Sequence, residues 1–97
     1  MQKTKIETYI GFAIKSNAVQ WGIDNITLKK ARANIIILDY SLSDNSAKKI
    51  RNYALRNNIE IIEIDNLPAL CGRQGTKAIG ICDKNLATAI KKVIEGV

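Results

Sequence analysis

The sequence predicts an α/β fold: a three-layer α/β/α sandwich around a mixed sheet of about four strands. The 97 residues suffice for one domain, residues 1–97, and 46% hydrophobic with 25% charged residues is typical of a folded globular chain. Asn34–Asp39 contains four consecutive large aliphatic residues, which indicates a strand covered on both faces. Segments with helical periodicity alternate with short apolar runs, and this alternation predicts helices packed on both sides of a sheet.

The first third of the chain is predicted to form two helices with a short strand between them. Apolar residues at three- and four-residue spacing predict an amphipathic helix over Lys3–Ser16. Val19–Gly22 is a short extended stretch that ends at a glycine, and a second helix fits Asp24–Arg32. Asp24 can cap the free amides of its first turn. Basic residues near the carbonyl end match the helix dipole: Lys29, Lys30 and Arg32.

A third helix follows the Asn34–Asp39 strand, and Ser43 is a suitable N-cap for it. One side of this helix is predicted to be buried and carries Ala47, Ile50, Ala54 and Leu55. The exposed side is basic and carries Lys48, Lys49, Arg51 and Arg56. We expect these four charges to serve solubility, because this helix need not face the same side as Gly22.

The second half of the chain is predicted to complete the sheet and its outer layers. Ile59–Ile64 forms a strand, and Leu67–Cys71, with a proline near its start, forms a short helical turn. Gly72–Gly75 is either a plain turn or part of a binding edge. Lys77–Cys82 is the last strand, and Asp83 caps a final helix. Acidic residues at strand ends or helix starts are interpreted as helix caps: Asp39, Asp44, Asp65 and Asp83.

The composition limits the chemistry of this chain. Fifteen Lys and Arg against nine Asp and Glu give a net charge of +6, which favours phosphate-rich or other anionic partners. Because histidine is absent, the commonest general base and zinc ligand is missing, and we expect no enzyme activity, metal or cofactor. Cys71 and Cys82 lack the spacing of a metal-binding pair and are expected to be reduced core residues. No apolar run reaches the roughly 18 to 20 residues that span a bilayer, so we expect a cytoplasmic protein without a membrane partner.

Several segments, taken in order, carry a family resemblance. They are Ile10–Ala13, Gly22 before a helix, the Ile35–Leu38 strand, Ser43–Ile50 and Cys82–Ile90. In this order nearly the whole chain resembles the L-seven-Ae and L-thirty-e type of ribosomal protein, and Ser43–Ile50 is most similar to its small bacterial YlxQ-like branch. The resemblance implies a non-catalytic, ribosome-associated protein that binds structured RNA, typically a kink-turn, through the sandwich fold predicted above.

In such proteins the N-terminus of the second helix enters the bent RNA, and side chains of its first turn read base edges. The family segment reads glycine, any residue, Asn or a relative, Glu or Gln, two more residues and Lys. Here Gly22 matches, Asp24 and Asn25 occupy the two reading positions, and Leu28 occupies the lysine position. Asp24 is interpreted either as the N-cap of this helix or as a residue that contacts a base edge of the RNA. The candidate RNA-binding residues of this helix and its flanking segments are Lys15, Gly22, Asp24, Asn25, Thr27, Lys29 and Arg73.

Two classes of function stay open. The first is an RNA-binding module in which the Gly22 edge and the Arg73 loop form one basic surface. The second is a protein-interaction module of the same fold that has lost its specific RNA contacts, which the departures from the family segment would allow. Convergence of Lys15, Lys29 and Arg73 beside the second helix would favour RNA, and an apolar or acidic edge would favour a protein. Trp21 is interpreted as core packing or as a base-stacking platform.

Overall fold

Five helices and four strands alternate along the residues that the computed structural model describes, 5–28 and 32–95. The helices are α1 Lys5–Lys15, α2 Gly22–Leu28, α3 Asp44–Asn57, α4 Leu67–Cys71 and α5 Lys84–Glu95. The strands are β1 Val19–Trp21, β2 Ile35–Asp39, β3 Glu60–Ile64 and β4 Ala78–Ile81. Within these residues, no helix has both the length and the apolar character needed to cross a membrane.

The strands form a mixed sheet in the order β1-β4-β2-β3. β2 and β3 are parallel neighbours, with Ile37 opposite Ile62. β4 is antiparallel to both of its neighbours, which places Ile79 opposite Trp21 on one side and opposite Ile37 on the other. Since β1, β2 and β3 therefore run in the same direction, their carboxyl ends lie at one edge of the sheet. This mixed four-stranded sheet confirms the predicted fold class.

Alternate residues of the central strand β2 point into two different cores. Ile35 and Ile37 belong to a cluster that includes buried residues of α1, α4 and α5. Ile36 and Leu38 belong to a second cluster, with buried residues of α2 and α3. All four side chains are buried, as expected for a strand covered on both faces. The three predicted layers are therefore present, and α2 and α3 share one of them.

Gly80 lets Ala33, in the segment between α2 and β2, approach the sheet closely. It lies in β4, between Gln20 of β1 and Ile36 of β2. A Cβ atom at this position would lie 2.9 Å from the Ala33 Cβ and 3.4 Å from the Ile26 Cγ1 in α2. Carbon atoms pack best at about 3.5–4.0 Å, so a larger residue would push Ala33 outward, whereas Ile26 is already near an ordinary contact distance. The glycine thus makes room for the chain that follows α2.

The second helix departs from its prediction at both ends. α2 begins at Gly22, because the glycine adopts a φ of +84° and leads from β1 directly into the helix. Asp24 therefore lies within the first turn, and its predicted role as N-cap is wrong. Arg32 lies outside the helix, and its guanidinium donates to the carbonyl oxygens of Asn57 and Asn58 at the end of α3. Arg32 thus complements the dipole of the third helix rather than the second.

Burial along α3 matches the prediction at Ile50 and Ala54, whereas Ala47 is half-buried and Leu55 is exposed. Ile50 and Ala54 are buried in the core that α3 shares with α2. Leu55 is 78% exposed, so its predicted burial is wrong. It follows Ile50 by five residues, which is about 140° around the helix, and therefore points away from that core.

Two predicted caps are confirmed. The Ser43 hydroxyl accepts a hydrogen bond from the Ser46 amide in the first turn of α3. Asp83 Oδ1 accepts one from the Leu86 amide at 3.0 Å in α5. Asp44 is the first residue of α3 rather than its cap, and its charge there favours the helix dipole.

Both cysteines are free. Cys71 is buried in the core beneath α4, as predicted, and burial raises the pKa of its thiol to about 11. Cys82 is half-buried at the end of β4, so its predicted place in the core is only partly correct.

Candidate nucleic-acid interface

The carboxyl ends of β1, β2 and β3 lead into segments that share one side of the molecule. α2 begins directly after β1, the turn Tyr40–Leu42 leads from β2 towards α3, and α4 begins shortly after β3. The loop Gly72–Lys77 lies at the same edge, because it leads into β4, which runs in the opposite direction. We call this surface the carboxyl edge. In open α/β sheets, ligands bind beyond the carboxyl ends of the strands.

Arg73 is held at the carboxyl edge by Trp21. Its guanidinium carbon lies 4.2 Å from the centroid of the Trp21 ring. Trp21 is half-buried and packs against the core that contains α1, α4 and α5, so the ring is a firm support for an exposed cation. Arg73 therefore lies beside Gly22 and the start of α2, as the basic-surface hypothesis requires. Trp21 packs against the core and supports the arginine, so that ring face is not open to a base.

Asn25 and Thr27 of α2 each donate a hydrogen bond to a backbone carbonyl oxygen four residues earlier. Asn25 Nδ2 donates to the Trp21 carbonyl oxygen at 2.6 Å. Thr27 Oγ1 donates to the Ile23 carbonyl oxygen at 2.9 Å, and Thr27 is half-buried. Asn25 is exposed, and this bond leaves its amide oxygen as the group that can accept a hydrogen bond. The start of α2 therefore presents two side-chain acceptors, the Asn25 amide oxygen and the Asp24 carboxylate, while Asn25 Nδ2 keeps a second N–H group.

Asp24 pairs with a lysine from a different helix. The Lys49 Nζ lies 3.3 Å from Asp24 Oδ1, and the side chains are 60% and 81% exposed. The sequence does not predict that α3 lies beside Gly22, and the structure places Lys49 of α3 on this side of the molecule. The pair places an ammonium group at the start of α2, although Leu28 occupies the position of the family lysine.

The structure does not bring all of the predicted cations together. Lys15 ends α1, and the chain then enters the sheet at Val19, the opposite end of β1 from Gly22. The strand between them spans about 10 Å. Lys29 lies outside the described residues. Of the three expected cations, Arg73 is at the start of α2 and Lys15 is not.

Two exposed residues of the carboxyl edge were missed in the sequence. Tyr40 follows β2 directly and is 65% exposed. Lys77 precedes β4 directly, and its carbonyl oxygen accepts a hydrogen bond from the Asp39 amide at 2.8 Å. Their position in the sequence could have identified both residues, because each adjoins a buried strand at the edge where ligands bind.

Asp39 is buried at the carboxyl edge and organises its backbone. Its carboxylate accepts hydrogen bonds from the Ser41 hydroxyl, from the Ser41 amide at 3.0 Å and from the Leu67 amide at 2.8 Å. The Ser41 hydroxyl above all, with these amides and the charge of Lys77, outweighs burial and holds the pKa of Asp39 below its usual range. Asp39 thus binds the first amide of α4, the helix before the Arg73 loop, from a distant strand, whereas the N-cap position of that helix is Asn66.

Comparisons with known proteins show a shared fold. No protein-family model matches the chain, and no curated protein matches it. Among solved structures, a protein of unknown function from Bacillus halodurans C is similar over 92% of this chain and 99% of that chain, with a TM-score of 0.79 and 18% sequence identity. At this identity the likeness shows the α/β fold alone.

Proposed function

We propose that this protein is a non-catalytic, cytoplasmic, ribosome-associated protein that recognises structured, kink-turn-like RNA at the carboxyl edge. The observation that carries the proposal is the Arg73 guanidinium stacked on Trp21, directly before Gly22 begins α2. The resemblance to the L-seven-Ae and L-thirty-e type of ribosomal protein implicates the same helix. The net charge of +6 adds a general attraction for phosphate.

Planar groups at the carboxyl edge suit unpaired bases. One face of the Arg73 guanidinium rests on Trp21, and the exposed side chain can offer the other face to a base or its donors to a phosphate. Tyr40 adds an exposed ring at the same edge. Stacking of a base on such groups is worth about 1–3 kcal/mol. A bent RNA supplies splayed bases, whereas a straight duplex keeps its bases stacked, and this difference underlies the expected preference.

The acceptors of α2 suit guanine. The amide oxygen of Asn25 and the carboxylate of Asp24 can accept hydrogen bonds, and guanine carries an amino donor at the edge displayed in the minor groove. The Lys49 ammonium beside Asp24 offsets the repulsion between that carboxylate and phosphates. This part of the surface therefore contributes base discrimination, while the cations around it contribute affinity.

The test is a titration of a kink-turn RNA and a straight duplex of equal length at two salt concentrations. We expect tighter binding of the kink-turn, and Arg73→Gln should weaken it by about 1–3 kcal/mol. Lys92→Gln is the matched control, since Lys92 is an exposed cation on α5, in the other helical layer. Equal, weak and strongly salt-dependent binding of both RNAs would leave only general charge attraction and refute the proposal.

A protein-interaction module is the second candidate, and the exposure of Leu28 favours it. This side chain is 81% exposed at the family lysine position, where an apolar group suits a protein better than a phosphate. Leu28→Lys separates the two candidates. If α2 enters RNA, the new ammonium should tighten kink-turn binding and steepen its salt dependence by about one unit of slope. If the affinity and the salt slope stay the same, α2 does not face the RNA backbone.

A further inference from the structure

We infer that the RNA surface continues from α2 onto the outer face of α3, where Lys49, Asn52 and Arg56 form a track for the phosphate backbone. This inference rests on the proposed function and assigns a role to charges that the sequence assigned to solubility. It concerns a second contact area, which supplies affinity rather than base discrimination.

Two contacts fix how α2 lies against α3. Lys49 Nζ is 3.3 Å from Asp24 Oδ1, near the start of α2. Further along, the Arg32 guanidinium donates to the carbonyl oxygens of Asn57 and Asn58. Asp24 therefore lies beside the first half of α3 and Arg32 beside its end, so the order of these two contacts follows the direction of α3. The start of α2 lies next to Lys49. A ligand seated at the start of α2 reaches α3 at this lysine.

The outer face of α3 has the chemistry of a backbone site. Lys49, Asn52 and Arg56 lie three, four and seven positions apart, which brings them to one face of the helix. With Leu55 they line an open groove of about 360 Å³, and these four residues include two cations and an amide but no carboxylate. Lys49 and Arg56 are about 10.5 Å apart along the helix axis, so one strand can meet both.

The neighbouring charges neutralise this track only in part, through the pair between Lys49 and Asp24. Arg51, on a different side of α3, pairs with Glu63 of β3 and is not counted in it. Lys49 remains 60% exposed despite its bond to Asp24, and an ammonium has three donors, so further contacts are available to it. Leu55 is 78% exposed between the polar groups, which suits the apolar face of a sugar. An acidic protein would also meet the cations, but RNA is favoured because Lys49 joins the track to the acceptors of α2.

The test compares two double variants of the full chain that remove equal charge. Lys49→Gln with Arg56→Gln removes the track, and Lys84→Gln with Lys92→Gln removes two exposed cations from α5 in the other layer. Kink-turn RNA is titrated at 50 and 200 mM salt. Each phosphate contact contributes about 0.9 to the slope of log affinity against log salt concentration. Between the two salt concentrations, the factor by which affinity falls should therefore be about ten times smaller for the track variant than for the wild type. The control variant should lose nearly as much as the wild type.

The outcomes separate this inference from the proposed function. If both double variants change the salt dependence equally, the track is overturned, while a retained preference for kink-turn RNA over duplex leaves the proposed function intact. If the wild type and both variants bind kink-turn RNA no more tightly than duplex, the kink-turn proposal fails. The track is nevertheless supported if the salt dependence of binding is weaker for the track variant alone. If polyglutamate binds with the same dependence on Lys49 and Arg56 as RNA does, the occupant is an acidic protein and the inference is wrong. Unchanged far-UV circular dichroism confirms that each variant is folded.

Discussion

Replacing Gly80 by alanine tests how closely Ala33, in the segment between α2 and β2, is packed against the sheet. The added methyl group would lie 2.9 Å from the Ala33 Cβ and 3.1 Å from the Gln20 Oε1. Reaching an ordinary carbon contact needs a shift of about 0.6 Å or more. Overpacking of this kind costs about 1–3 kcal/mol, and the stiffer unfolded chain offsets about 0.4–1 kcal/mol of it. We expect the free energy of unfolding to fall by about 1–2 kcal/mol.

Urea and thermal unfolding measure this loss. Each kcal/mol should lower the Tm by about 4–8 °C for a domain of this length. The fluorescence of Trp21, the single tryptophan, reports in addition whether the start of α2 has moved. Gly11→Ala is the matched control, because a Cβ there meets no atom within 4 Å and alanine stabilises a helix by about 0.5–1 kcal/mol relative to glycine. The reasoning is refuted if Gly80→Ala is as stable as the wild type, or if both variants shift stability in the same direction.

Two further substitutions test the buried carboxylate and the end of α3. Asp39→Asn should lower the free energy of unfolding by about 1.5–3 kcal/mol at neutral pH, since it removes an ionised acceptor from the bonds of Ser41 and Leu67. Because folding lowers the pKa of Asp39, its contribution is complete above the unfolded pKa of about 3.9 and is lost as pH falls through the folded pKa. The difference between wild type and variant should therefore shrink below about pH 4, and a difference that is constant down to about pH 2.5 would contradict this account. Arg32→Gln removes the donor to the Asn57 carbonyl oxygen and should cost about 0.3–1 kcal/mol, with faster hydrogen exchange in the last turn of α3; unchanged exchange there would argue against the contact.

The fold could be predicted because its signals are local. The aliphatic run of β2 needs two covering layers wherever it is placed, and the periodicity of α1 and α5 marks the helices that cover it. Ser43 and Asp83 mark helix starts by short-range hydrogen bonds. The start of α2 differs from its prediction for a local reason too, because a glycine can lead the chain directly from a strand into a helix. Only the φ of Gly22 reveals that it does so here.

The candidate site could be predicted only in part, because it joins residues from separate elements. The sequence predicts Gly22, Asn25 and Arg73 as site residues, and the structure places Arg73 beside the start of α2. It does not predict Lys49, because the bond of this lysine to Asp24 depends on the packing of α3 beside α2. Lys15 is predicted from its charge, but β1 separates it from Gly22.

The sequence by itself determined the order of helices and strands, the two-sided burial of the sheet and the excess of positive charge, since composition and periodicity are properties of neighbouring residues. Tertiary structure alone decided where that charge acts. It stacked Arg73 on Trp21 and set Lys49 against Asp24, whereas Arg51 and Arg32 were directed to Glu63 and to the end of α3. The physical reason is that each of these contacts joins residues from separate elements, and no local pattern of residues contains the way those elements pack around the sheet.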